Sequence, residues 1–327
     1  MRFLPTDEQS DFARTLRSLL GAAAVPGTVR AWAAGDHAPG RALWSRLADT
    51  GLFALAAGEA YEGLGPLPVE LALGFVELGR AGVAGPVVET AAASVLLAHL
   101  GDEGPAKRFL PGLLSGGDLA TLTLPGGSPY ALDADAAAHR FTVSEGGELR
   151  LADGPGEPLA SLDPARRLSA PAGGGELLAA GPAVTAAAGE ALRWARLLTA
   201  AQCLGLGEAL LASTVEYAKR RSQFGTPIGG FQAVKHRLAD TLLALEFARP
   251  LLWAAALSLA PGEVAAAKLT AGEAAYGAAL TALQVHGAVG YTQELDLSLW
   301  LRKARPLRDA WGTPSACRAE VLRAGAR

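Results

Sequence analysis

Tyr217–Asp240 reads YAKRRSQFGTPIGGFQAVKHRLAD: an Ala/Leu-rich helical chain stops at Arg-Ser-Gln-Phe-Gly and resumes almost at once. A guanidinium can hold two oxygens of a phosphate together, and Gly225 frees the backbone for a tight turn. The interruption therefore suits a cofactor grip. By spacing alone it suits equally well a helix–helix loop that ends in a cation at the negative pole of the helix dipole. The remaining chemistry-bearing residues are sparse. Two cysteines, Cys203 and Cys317, make neither a disulfide framework nor a metal set, and the five histidines show no metal-ligand spacing. Carboxylates that could act as bases are Asp309, Glu208, Glu246 and Glu294, each more suited to an ion pair or to solvent.

The elements that must position these residues are mostly helices. Over 1–115, Thr6 and Gln9 have capping-box spacing, Phe12, Leu16 and Leu19 share a helical face, and RALWSRLADTGL, PVELALGFVELGRAG, AAASVLLAHLG and PAKRFLPGLLSGG each end at a Gly, a helix stop. Over 116–188, DLATLTLPGG, HRFTVSEGGELRLADG and GELLAAGPAVT predict about half a dozen short strands, with a hairpin turn at Gly146-Gly147. Over 189–327 helices return: a long apolar one over 191–217, one carrying Phe231, Val234, Leu238, Leu242 and Leu245, and an Ala-rich one over 264–285. The fold class is mainly α with a small β insert, closing in a helical bundle.

The 327 residues are half apolar and carry a net charge of −3, which supports a large core and excludes a basic nucleic-acid surface. The N-terminus lacks the apolar run of a signal peptide. The most apolar window, 197–211, holds Gln202 and Glu208 and is too short to span a bilayer. A soluble, cytoplasmic protein is expected.

Taken together, these segments resemble the acyl-CoA dehydrogenase family. The 217–240 stretch is similar to the family's flavin-contacting turn. LQVHGAVGYTQELDLSLWLRKARPLRDAWGT is similar to its C-terminal Gln-x-x-Gly-Gly segment and active-site Gly-Thr, and WSRLADTGLFAL with GEAYEGLG to its N-terminal helical domain. The resemblance covers nearly the whole chain, most specifically over 190–327. It implies an N-terminal helical domain (1–115), a reduced middle β domain (116–188) and a C-terminal four-helix bundle (189–327) that binds FAD. Arg221 matches the residue that clamps the FAD pyrophosphate, with Gln223 and Phe224 beside it; Arg220 reads as a solvated helix-end charge. Phe231 and Gln232 match residues near the adenine. Gln284 and Gly287 match backbone that passes the nucleotide, with Ala288 replacing the second glycine. Thr313 matches a threonine on the FAD phosphate, a role compatible with helix N-capping. His286 reads as a packed or surface histidine rather than a base.

The family's α,β-dehydrogenation of an acyl-CoA needs a Glu to remove the α-proton. Both family positions for it are altered: Trp311 stands before the Gly-Thr, and Ala195 stands before Arg196 on the long helix. Leu124 replaces the acid of the middle-domain motif in TLPGGSPY, and no Trp lies between Trp44 and Trp194 to cover a flavin ring. Residues that serve a neighbour's flavin persist while those of the chain's own site are lost. Some acyl-CoA dehydrogenases of actinobacterial steroid and lipid catabolism share this pattern, pairing a catalytic subunit with a shorter, base-less one. The resemblance thus implies a partner catalytic subunit. Two other readings stay open: a self-sufficient homo-oligomer with Asp309 as a displaced base, and a flavin-free interaction protein.

Overall fold

Thr6 caps the first helix. Its amide donates to Gln9 Oε1 and its hydroxyl accepts the Gln9 amide, so two otherwise unpaired groups at the start of helix α1 (Asp7–Ala22) satisfy one another. The computed structural model describes residues 4–326; the first three residues of the N-terminal segment read for a signal peptide lie outside them. Helices α2 (Val25–Ala33), α3 (Ala38–Ala48), α4 (Pro68–Ala81), α5 (Val87–Ala98) and α6 (Glu103–Leu114) follow. Gly82 closes α4 in the left-handed conformation that Gly adopts without penalty.

The β insert has seven short strands: β1 (Ala120–Thr123), β2 (Ala131–Leu132), β3 (His139–Val143), β4 (Glu148–Leu151), β5 (Glu157–Leu159), β6 (Leu168–Ala170) and β7 (Glu176–Ala180). They form a sheet of order β1-β3-β4-β7 and a smaller one of order β2-β6-β5. The expected hairpin joins β3 to β4, with Gly147 at positive φ in its turn. One boundary differs from expectation. Only the front of GELLAAGPAVT is strand; Gly181 turns the chain and Pro182 starts a helix, its ring fixing φ at a position whose N–H has no helical acceptor.

That helix, α7 (Pro182–Arg220), runs 39 residues without a break. After a small turn come α8 (Gln232–Ser258), α9 (Pro261–His286), α10 (Leu297–Asp309) and α11 (Pro314–Gly325). α9 packs on α7, α8, α10 and α11, and α7 also lies across α4 and α5, joining the N-terminal helices to the bundle. At the α4–α7 crossing the backbones touch: a Cβ on Gly205 would overlap the Val76 carbonyl, and one on Gly79 the Gln202 carbonyl. Contrary to the sequence window, α7 and α8 are each long and apolar enough to cross a membrane by length and composition. Two-thirds of the α7 window is buried inside the fold, as in a core helix. The α8 window is mostly uncovered: Leu243, Phe247 and Leu251, one turn apart, are all exposed.

Candidate functional site

Arg221 caps α7 in an extended conformation. Its amide donates to Tyr217 O, and its carbonyl accepts from Ile228 N at 2.8 Å, which closes the interruption as a loop. Within the loop, β8 (Ser222–Gln223) and β9 (Thr226–Pro227) pair antiparallel, with Phe224 and Gly225 at the tip. Both tip residues have positive φ, 53° and 79°, as a two-residue hairpin turn of the primed type requires. Gly225 adopts this freely; Phe224 is strained by its Cβ. The Phe224 ring is 94% exposed, with Phe231 edge-on 6.2 Å away.

The polar groups of this loop face outward. Arg221 is exposed, and among the described residues its guanidinium has no hydrogen bond or ion pair. Arg220 instead reaches back to Glu216 O, tying up a terminal helix carbonyl. Gln223 donates to its neighbour Ser222 O, and Gln232 lies beside His236; both are exposed.

The end of α9 is fastened to the same place. His286 stacks on Tyr217 with ring centroids 4.1 Å apart, and its Nδ1 donates to Ala282 O. Burial lowers the His286 pKa, so the ring is neutral near pH 7. This stack sets Gln284 and Gly287, both exposed, at the end of the bundle that carries Arg221. Gly287 has φ 64° and ψ −144°, a region open to Gly and closed to side chains.

Thr313 lies elsewhere. It caps α11, its Oγ1 accepting the Ala316 amide, and it follows a turn that packs against the early part of α7. Arg196 Nε donates to Trp311 O at 2.9 Å. From Arg196 to Arg221 is 25 residues of chain, about 37 Å at 1.5 Å per residue. The residues matched to the cofactor therefore form two groups at separate points along α7: Arg221, Gln223, Phe224, Phe231, Gln232, Gln284 and Gly287 in one, Thr313 in the other.

Thr313 is exposed, but the turn just before it is packed. Trp311 is 2% exposed and held at φ 58°. Its indole N–H donates to Glu89 Oε1 at 3.1 Å, and its ring lies against Gly127 of the TLPGGSPY loop so closely that a Cβ there would clash. Glu89 is itself buried, and desolvation raises its pKa. The Trp311 turn is pinned twice more: buried Lys268 donates through Nζ to Arg308 O at 2.7 Å and Gly312 O at 3.3 Å. Ala195 is fully buried in α7, Leu124 is core, and the Ser128 hydroxyl is spent on Tyr130.

The carboxylates singled out from the sequence are occupied or solvated. Asp309 pairs with Arg308 at 3.0 Å and Arg305 at 3.7 Å. Glu208 bridges Arg80 and Arg249, and Glu246 pairs with Arg249. Glu294 is exposed. Sequence reasoning missed Glu89 and Lys268. Their one signal was a charge inside an apolar run, VVETAAASVLL and VAAAKLTAG.

The chain belongs to the acyl-CoA dehydrogenase family. Residues 6–117 match the family's N-terminal domain and residues 185–325 its C-terminal domain. Members of the family are FAD-dependent oxidoreductases. More particularly, the chain is 34% identical to the acyl-CoA dehydrogenase IpdE2 of Mycobacterium tuberculosis, over 98% of this chain and 96% of that protein. Butyryl-CoA dehydrogenase from Megasphaera elsdenii has the same fold, with a TM-score of 0.84 and 24% identity over the full length of both chains. So does a chain of the ChsE4–ChsE5 complex from Mycobacterium tuberculosis, with a TM-score of 0.83 and 24% identity over 100% of this chain and 99% of that one.

Proposed function

We propose that this chain is a base-less, flavin-sharing subunit of a cytoplasmic, heteromeric acyl-CoA dehydrogenase that oxidises a fatty-acid or steroid side-chain thioester. On this reading the chain is organised as 1–115, a β insert from 116, and the bundle, with the last boundary moved to Gly181 where α7 begins.

One observation carries the proposal. Arg221 and Thr313 are both matched to the phosphates of FAD, yet about 37 Å of helix separates the points where they sit. One chain cannot bring both to one pyrophosphate, so a cofactor that uses both lies between two chains. The Arg221 group fits such a role: a guanidinium unpaired among the described residues, an aromatic ring strained into solvent, and a Gly backbone without a Cβ all face outward from one end. The uncovered apolar stripe further along α8, the helix that follows the loop, supports a protein neighbour on the bundle. A mixed pair also accords with the ChsE4–ChsE5 complex, named for two different chains.

When bound, FAD accepts the electrons removed from the acyl-CoA. Arg221, Gln223, Gln284 and Gly287 would hold its phosphate and nucleotide portion from this side. Neither Ala195 nor Trp311 can take a proton, and the Asp309 oxygens are held by arginines, so the base comes from the partner subunit.

The test is to express the chain alone and with the partner encoded beside it, and to record the visible spectrum and turnover of acyl-CoA. Flavin colour and activity confined to the co-expressed complex support the proposal. A flavin-loaded, active single chain overturns it, and so does a complex without flavin.

A further inference from the structure

We propose that the cleft between β5–β6 and the Asp135 turn binds a small organic anion, an anionic oxygen head on an apolar body. It is independent of the flavin-sharing reading and uses none of its residues.

The cleft has a volume of about 450 Å³. Two neighbouring arginines, Arg166 and Arg167, line it, and their charges are placed differently. Arg167 is spent: its Nε and one terminal nitrogen donate to Asp135 Oδ2 at 2.9 and 2.5 Å. Arg166 is half-buried, and among the described residues its guanidinium has no hydrogen bond and no ion pair. Its backbone is fixed, with Arg166 N donating to Asp163 O and the next amide donating to Asp133 Oδ1.

A second group in the same cleft lacks a partner. Ser169 is 6% exposed, and its Oγ makes no hydrogen bond. Buried hydroxyls are ordinarily paired, and this one lines the cleft with Arg166 and Ser161. The Arg166 cation and the Ser161 hydroxyl are donors for a carboxylate or phosphate head, with the enclosed, unpaired Ser169 hydroxyl close by. Leu159, Leu168 and the Pro155 and Pro158 rings supply apolar wall for the rest of such a molecule. The cleft is also preformed. Gly156, at φ 75°, lies so close to the Ala170 carbonyl that no Cβ fits, and the prolines restrict the rim.

Titration calorimetry on the full chain tests this with hexanoate, hexyl phosphate and neutral hexanol as probes. The expectation is one bound anion per chain, with hexanol at least tenfold weaker. Arg166→Gln should weaken the anions at least tenfold. Leu159→Trp, at a rim position 39% exposed, should block the cleft without disturbing the core, and it carries the test if the Arg166 variant fails to fold. Tighter binding of hexyl phosphate would point to a phosphate ester and of hexanoate to a carboxylate, either of which supports the site. No binding of either anion, hexanol binding as tightly as they do, or wild-type binding by Leu159→Trp would overturn it.

Discussion

The indole N–H of Trp311 donates to the buried carboxyl of Glu89, 222 residues away in sequence. The bond ties the C-terminal turn to α5 at the position that the sequence resemblance matches to the family's base. Replacing Trp311 with Phe leaves the Glu89 oxygen without its donor and is expected to cost about 1–3 kcal/mol. Trp311→Ala adds a cavity and is expected to cost roughly 3–5 kcal/mol. In a double-mutant cycle with Glu89→Leu, chemical denaturation should show the Phe penalty shrinking once the carboxyl is gone. A penalty that stays unchanged would separate the two residues energetically.

Asp133 supplies a pH dependence. The carboxyl is fully buried and desolvation raises its pKa from 3.8 to about 7. A raised carboxyl pKa means that the folded state prefers the proton. Its contribution is complete below pH 3.8 and is lost as pH rises through about 7, at most roughly 4 kcal/mol in all. Asp133→Asn keeps the shape and tolerates the positive φ at this position. Melting temperatures at pH 5 and pH 8 should fall less with rising pH in the variant than in the parent; parallel curves would remove Asp133 as the cause.

Arg221→Ala in the co-expressed complex should weaken FAD retention about 10- to 100-fold, the worth of a charge-assisted bond. The isolated chain should melt as before, since the side chain has no partner to lose among the described residues. The ratio of flavin to protein absorbance after dialysis measures the first effect and calorimetry the second. Full flavin retention would count against the phosphate clamp.

Phe224→Gly should separate folding from assembly. Relief of a left-handed non-Gly residue is worth about 1 kcal/mol, so the isolated chain should become slightly more stable. Assembly with the partner should weaken at least tenfold if the exposed ring is a contact. Sedimentation across a dilution series reads the second quantity, and unchanged assembly would assign the strain no role.

An ion-pair network around Glu208 joins four helices. Glu77 accepts from Arg17 on α1 and from Arg80 on its own helix α4, and Arg80 and Arg249 of α8 converge on Glu208 of α7. Glu208→Ala leaves Arg80 paired with Glu77 alone and Arg249 with Glu246 alone, and should cost about 1 kcal/mol, read as a lower midpoint in urea. A loss of flavin or turnover larger than the loss of fold would instead indicate a chemical role.

What the sequence made legible was local. Thr6 and Gln9 satisfy each other three residues apart, Gly82 needs only its own φ, and Gly146-Gly147 marks a turn whatever surrounds it. The start of α7 was harder, because Leu177–Ala180 and Val184–Ala188 are equally apolar and only Pro182 says where one period gives way to the other. Glu89 and Lys268 could not be interpreted, since their partners arrive from α10 and the turn after it. The residue identities at the flavin-matched positions were readable, but their division into two groups needed the unbroken length of α7.

That length makes α7 a ruler. Each residue inserted into it would advance everything beyond by about 1.5 Å and rotate it by 100°, turning Gly205 out of its crossing with α4 and swinging the Arg221 loop away from its present bearing. The residue count between Thr199 and Leu210 is thus set by the crossing with α4.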